Sequence, residues 1–181
     1  MAKTIAYNKL EIKGSLLVPG FSIYLFEIVG KGKPLYYVGM TGDPFYPSAR
    51  AAFHRISGHL ELTSHSTQNQ IMKALKQKFG AAELETIFPK LIITMHHYPI
   101  GGFEKWKYES LSADDVKKHR TEKEYVEYKK RQTVIEEFED FLIFELRERI
   151  GDRLLNKTEG KSAVLKVEFK PLYDDIIDKI K

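Results

Sequence analysis

Phe21–Gly39, FSIYLFEIVGKGKPLYYVG, decides the fold of this chain. It reads as two β-strands rich in β-branched and aromatic residues, separated by Gly30-Lys31-Gly32-Lys33-Pro34. A short loop with two glycines is hairpin punctuation. Pairing centred on that loop sets Tyr24 opposite Gly39 and Tyr37 opposite Phe26. Side chains alternate along a strand, so this register makes the two tyrosines diagonal neighbours on one face. A slip of one residue would put them on opposite faces. Two adjacent phenols are either a site or a half-buried sheet surface, and the hairpin alone does not decide.

On the N-terminal side, residues 1–20 read as an extension with a short strand at Leu10–Ile12 and an apolar piece ending at Pro19-Gly20. On the other side, Met40-Thr41-Gly42-Asp43-Pro44 reads as a turn. A helix from Pro47 or Ser48 follows, with Ala49, Phe53, Ile56 and Leu60 on one face. Thr67 with Gln70 forms a capping-box pattern for a second helix, with Ile71, Leu75 and Phe79 as its apolar stripe and Gly80 as its stop. Leu91–His97, LIITMHH, reads as a third strand bounded by Pro89 and Pro99. The order strand, strand, helix, helix, strand implies an α/β fold of the α+β sandwich kind with a small, mostly antiparallel sheet. Ser112 with Asp115 caps a further helix, expected through Asp114 to Lys130 and on into Val134–Ile150 as one long bent helix. The tail, Ser162–Lys181, reads as a strand at Val164–Phe169, a break at Pro171 and a terminal helix.

The totals narrow the classes of function. The 181 residues suffice for one domain with a real core. The absence of cysteine excludes disulfide scaffolds and thiolate zinc sites. The opening MAKTIAYNKLEIKG lacks the features of a signal peptide, and no apolar run approaches the ~20 residues of a membrane helix. A cytoplasmic protein with no membrane partner is therefore expected. The net charge of +4 leans weakly towards an anionic partner.

Arg55 and His59 are four apart, one above the other on their helix and away from its apolar face. A guanidinium matches phosphate oxygens, and an imidazole beside it donates or shuttles a proton. The same spacing recurs in Arg50 and His54, and each pair is also what an exposed basic face looks like. Glu139 falls within the stripe of Ile135, Phe138, Leu142, Leu146 and Ile150. A carboxylate so placed must be paired, protonated or metal-bound, and Arg55 is one candidate partner. Glu145 and Arg149 share that face but neutralise each other at their spacing. Adjacent His96 and His97 point to opposite faces of a strand, a poor metal site. Lys117–Arg131 holds seven Lys/Arg against three Glu, an excess equal to the whole net charge. It is either a solvated helical face or a phosphate-contacting patch.

S-I-Y, then Y-V-G, then R-x-x-x-H on the following helix, then a late E-D-F-L-I helix and an Asn: this set, over about Phe21 to Asn156, resembles the GIY-YIG nuclease family. The resemblance implies a three-stranded antiparallel sheet flanked by helices. It also implies an endonuclease that hydrolyses DNA phosphodiester bonds with one divalent metal ion, Mg2+ or another such as Mn2+. By motif position, Tyr24 and Tyr37 match the signature tyrosines and Gly39 the second motif's glycine. Arg55 matches the arginine on the scissile phosphate, His59 the histidine one turn on, Glu139 the metal-binding glutamate and Asn156 the asparagine that closes the domain. Arg55 is preferred to Arg50 because F-H-R-I-S-G-H-L fits the family's helix. Ser22 replaces the first glycine, and about forty residues, His97 to Val134, are inserted relative to the minimal domain.

The expected organisation is a nuclease-like domain over 21–160 with a basic helical insertion at about 98–133 and a C-terminal extension over 161–181. Lys117, Lys118, Arg120, Lys129, Lys130 and Arg131 are the candidate nucleic-acid contacts. Tyr24 is the candidate base or water-orienting group, although a phenol near pKa 10 needs a neighbouring cation to be lowered. Two other readings stay open: a non-catalytic nucleic-acid-binding module on the same fold, and a chance α/β domain whose Glu139 is a structural ion pair.

Overall fold

The computed structural model describes residues 10–30, 32–42, 51–61, 69–101, 112, 114–115, 118 and 121–180. Phe21–Val29 (β1) and Leu35–Thr41 (β2) form the hairpin in the expected register, Tyr24 against Gly39 and Phe26 against Tyr37. Ile92–Gly101 (β3) pairs antiparallel with the other side of β1, giving the order β2-β1-β3. The central strand is buried along both faces from Phe21 to Ile28, which explains its nearly continuous apolar character.

Each face of the sheet has its own core. Tyr24, Phe26 and Ile28 meet the layer made of Ala52–Leu60 (α1), Gln70–Phe79 (α2) and Ala81–Ile87 (α3). Ile23, Leu25, Tyr36 and Val38 meet the long helix Lys123–Ile150 (α4) and the last helix, Lys170–Asp178 (α5). The result is the expected α+β sandwich: a small antiparallel sheet between helices. Ile135, Phe138, Leu142, Leu146 and Ile150 of α4 form the expected buried stripe. Phe141 and Ile143 are buried as well, because the C-terminal segment packs on a second side of the helix. There Phe138 stacks on Phe169 at 4.3 Å between ring centroids, and Phe141 meets Tyr173 at 5.6 Å. None of the described helices is long and apolar enough to cross a membrane.

The outer edge of β2 is sealed by the chain that follows α4. Leu154 bridges Tyr36 in parallel, and the Leu155 N–H donates to the Tyr36 carbonyl at 2.7 Å. Buried Asn156 completes the seal. Its Oδ1 accepts from the Val38 N–H at 2.9 Å, and its Nδ2 donates to the Val38 carbonyl at 2.8 Å. An edge strand's unpaired groups are thus satisfied from within the chain. Arg147 of α4 holds this segment in place by donating to the carbonyls of Leu154 and Thr158, both at 3.1 Å, and to that of Asn156.

Several local expectations are corrected. Leu10–Ile12 is not a strand, and a 3-10 turn at Gly14–Leu17 follows it. Ala51 has extended backbone, so α1 starts at Ala52; Pro47, Ser48 and Ala49 lie outside the described residues. Gln70 is the first residue of α2 rather than a third-position cap, and Thr67 lies outside the description. Gly80, at φ 79°, stops α2 as expected but at once starts the unforeseen α3; positive φ is where glycine has no steric penalty. Strand β3 runs past His97 through Pro99, which an edge strand tolerates because its outward side needs no donor. The Ser112–Asp115 cap forms, with the Asp115 N–H donating to Ser112 Oγ and the Ser112 N–H to the Asp115 carboxylate. Asp114, Asp115 and Lys118 are helical, but the expected bend is a break: Thr121-Glu122 is a turn with extended backbone at Glu122, and α4 begins anew at Lys123. Glu145 and Arg149 do not pair directly; Arg149 donates to the Tyr173 hydroxyl, which donates to Glu145. Val164–Phe169 is no strand, and Pro171 sits at the start of α5 rather than breaking an element.

Candidate active site

The site is built on the hairpin. Tyr24 stands mid-strand on β1 with no solvent exposure, its ring lying across Gly39 of β2. A Cβ on Gly39 would collide with the Tyr24 ring and hydroxyl, so the glycine is required by close approach. Tyr37 lies on the same face and is partly exposed.

Helix α1 adds the basic pair. His59 is 1% exposed, with Nε2 2.9 Å from the Tyr24 hydroxyl and its ring 5.0 Å from that of Tyr37. Its Nδ1 is buried and has no hydrogen-bond partner among the described residues. Arg55, one turn earlier, brings its guanidinium beside the Tyr24 hydroxyl and within electrostatic reach of Tyr37 and Glu139. Its Nε is likewise buried without a hydrogen-bond partner among the described residues.

Glu139 arrives from the opposite layer. α4 packs along β2, and the Glu139 carboxylate accepts from the Met40 backbone N–H while facing Arg55. Residues from two strands and two helices on different sides of the sheet thus meet around one hydroxyl. Tyr24, Tyr37, Arg55, His59 and Glu139, the five expected site residues, are brought together.

Their electrostatics share one cause. Burial pushes the Tyr24 phenol up to about 12, more than the adjacent Arg55 charge pulls it down. Tyr37 is raised too, by burial first and then by Tyr24 and Glu139. Burial lowers His59 to about 4, with the Arg55 charge adding to the effect, so the imidazole is neutral at physiological pH. Burial would lower Arg55, yet Tyr24, Tyr37 and Glu139 hold it above its ordinary value. Glu139 is raised to about 7 by burial, against the pull of Arg55 and with repulsion from Asp140 and Glu136. A carboxylate held that high is short of positive charge. A single carboxylate of this kind, completed by waters and phosphate oxygens, would suit a hard cation such as magnesium. No cage of three or more acidic or histidine side chains forms among the described residues.

The remaining expected residues lie elsewhere. Asn156 supports the site from behind by fixing Val38, the residue between Tyr37 and Gly39. Lys117 and Arg120 lie outside the described residues. Lys118 pairs with Asp115 at 3.6 Å, Lys129 donates to Gln132, and Lys130 is exposed. Arg131 is engaged within the protein, 3.2 Å from Glu168 and above the Phe169 ring. Two supports were not foreseen. Arg147 carried no signal beyond being a cation on a helix. Ser22, at the glycine position of the first motif, donates its N–H to Thr41 Oγ1 at 2.8 Å, and Thr41 in turn donates to the Gly20 carbonyl. That latch closes the open end of the hairpin. Compared with protein-family models, curated proteins and solved structures, the chain matches none.

Proposed function

We propose that this chain is a metal-dependent endonuclease that hydrolyses DNA phosphodiester bonds in the manner of the GIY-YIG nucleases. One observation carries the reading: five motif side chains, far apart in sequence, converge on the Tyr24 hydroxyl with chemically matched partners. Structural ion pairs alone would not call for two phenols, a neutral imidazole and an orphaned guanidinium nitrogen around one carboxylate.

Each group has a task in phosphodiester hydrolysis. The Arg55 fork takes a non-bridging phosphate oxygen, where charge builds up in the transition state. Tyr24 is un-ionised at neutral pH, so it orients the attacking water rather than serving as a resident phenolate. Neutral His59, 2.9 Å away, accepts the Tyr24 proton as the phenol oxygen takes one from the water. Tyr37 packs against the imidazole and fixes its plane. Glu139 would hold Mg2+ or Mn2+, which when bound would supply positive charge to the phosphate and the leaving oxygen.

The test uses supercoiled plasmid and branched DNA, with magnesium or with EDTA, beside Glu139→Ala and Arg55→Ala. Nicking is expected only with metal, and is expected to fall at least 100-fold in either variant. Nicking that survives EDTA or Glu139→Ala would overturn the metal mechanism. Retarded DNA with no nicking would mark a binding module instead.

A further inference from the structure

The two edges of the sheet differ. On β2, alternate residues turn their backbone groups outward, and each is given a partner. The Tyr36 carbonyl takes the Leu155 N–H, Val38 takes the Asn156 amide, and the Met40 N–H takes Glu139. The strand pairings carry this alternation across the sheet. Tyr24 and Phe26 turn their backbone groups toward β2, while Ile23, Leu25 and Glu27 turn theirs toward β3. On β3, Ile93, Met95, His97 and Pro99 therefore face outward. Among the described residues no strand pairs with that side, and none of these outward groups has a hydrogen-bond partner.

An edge of this kind is a template for another strand, and proteins that guard one use charge, proline or a bulge. Here such devices stand only at the far end. Pro99 lacks an N–H, and the irregularity of the β1–β3 pairing falls between Phe21 and Ser22, opposite Gly101 and Pro99. From Ile92 to Tyr98 the ladder is regular, and the run IITMHHY holds no Asp, Glu, Lys or Arg.

The strand is complementary to its own copy. Antiparallel pairing about a two-fold axis at Met95 sets Met95 opposite itself, Ile93 opposite His97 and Thr94 opposite His96. Every outward N–H of Ile93, Met95 and His97 then meets a carbonyl. An axis at Ile93 or His97 would instead bring Pro89 or Pro99 into the ladder and lose a donor. The same register covers Ile92, 66% exposed, with the Tyr98 ring of the second copy, a β-branched–aromatic cross-strand pair. No like charges are opposed. We propose that the outer edge of β3 is a self-association surface, where a second copy of this chain pairs antiparallel about Met95 and joins the two sheets into one. The contact is isologous and closed. Its axis is perpendicular to the sheet, so both Tyr24 faces point the same way, and the pairing does not depend on nuclease activity.

The test follows the full chain by sedimentation equilibrium over a range of concentrations, with amide exchange measured by NMR. A reversible dimer is expected, in which the Ile93, Met95 and His97 amides exchange slowly when concentrated and fast when dilute. Ile92→Lys, at an exposed position, should raise the dimer dissociation constant at least about tenfold. Val164→Lys, at an exposed valine of the C-terminal segment, should leave it unchanged. The sequence has no cysteine, so Met95→Cys supplies a single thiol per chain. Opposed across the axis with Cα atoms about 5.5 Å apart, two such thiols should form an interchain disulfide on mild oxidation. Should Met95→Cys fail to fold, the wild-type exchange decides alone. A chain that stays monomeric, or a dimer whose edge amides exchange as fast as the monomer's, would overturn the pairing. So would slow exchange at every concentration, which would mean that the edge is covered within one chain. A dimer lost in Val164→Lys but kept in Ile92→Lys would overturn it as well, by placing the second copy on the C-terminal segment.

Discussion

His59 lies where two tyrosines and a guanidinium exclude water, and that placement makes its proton measurable. Its folded pKa, about 4, is below the 6.5 of a free imidazole. As pH falls from 6.5 to 4 the unfolded chain takes up the proton first, so stability is complete above 6.5 and declines until 4. The expected loss is roughly 3 kcal/mol, since each pKa unit is worth about 1.4. Glu139, raised to about 7, has the opposite sign: its contribution is present below 4.5 and is lost as pH rises through 7. The measurement is therefore a difference, urea unfolding of wild type against His59→Gln in EDTA from pH 4 to 8. Wild type should show the steeper acid-side decline, since His97 is also lowered by burial and titrates in both proteins, and equal slopes would mean that His59 is not buried neutral. The residue types of the site could be read in the sequence from their order and spacing together, since only Glu139 is chemically odd by itself and the tyrosines and the basic pair also fit a sheet surface and an exposed helix face. Glu139 interrupts an apolar stripe, and the Arg55–His59 pair shares one helix face. What could not be read is how far burial would outweigh Arg55 at Tyr24, because desolvation depends on the whole fold.

At the scale of elements, the hairpin register was legible because a short glycine loop leaves the pairing little freedom. Alternation then fixed which face each tyrosine takes. The Val164–Phe169 strand failed for a physical reason. β-branched residues favour strands only where an edge can pair with them, and here Val164 and Val167 are 93% and 90% exposed. Helix α3 was hidden because Gly80 reads as a stop and gives no warning that it also begins the next turn. The seal on β2 yields a sharp expectation. Asn156→Ala strands the Val38 N–H and carbonyl in a buried setting, so a loss of roughly 2–4 kcal/mol is expected. Amide exchange at Val38 should accelerate along with it. An unchanged Val38 amide would show that the asparagine does not hold the strand.

Across the whole molecule, the C-terminal segment is part of the core rather than an attachment. Phe169 and Ile176 are 3% and 0% exposed and join the cluster that includes Phe138 and Leu142. Phe169→Ala should therefore cost about 3–5 kcal/mol, as cavity-forming changes do in a continuous core. A loss below about 1 kcal/mol in thermal or urea unfolding would make residues 161–178 a decoration. The same continuity orders events during synthesis. Val38 and Asn156 are 118 residues apart, so the backbone beneath Tyr37 and Gly39 is secured by a group made long after it. Chains fold from the N-terminus as they emerge, and distant contacts close last. The hairpin and α1 thus leave the ribosome carrying Tyr24, Tyr37, Arg55 and His59 but no Glu139 and no closing amide. On the proposed nuclease reading, cutting power would arrive only with the late part of the chain, and an unfinished copy would leave DNA intact.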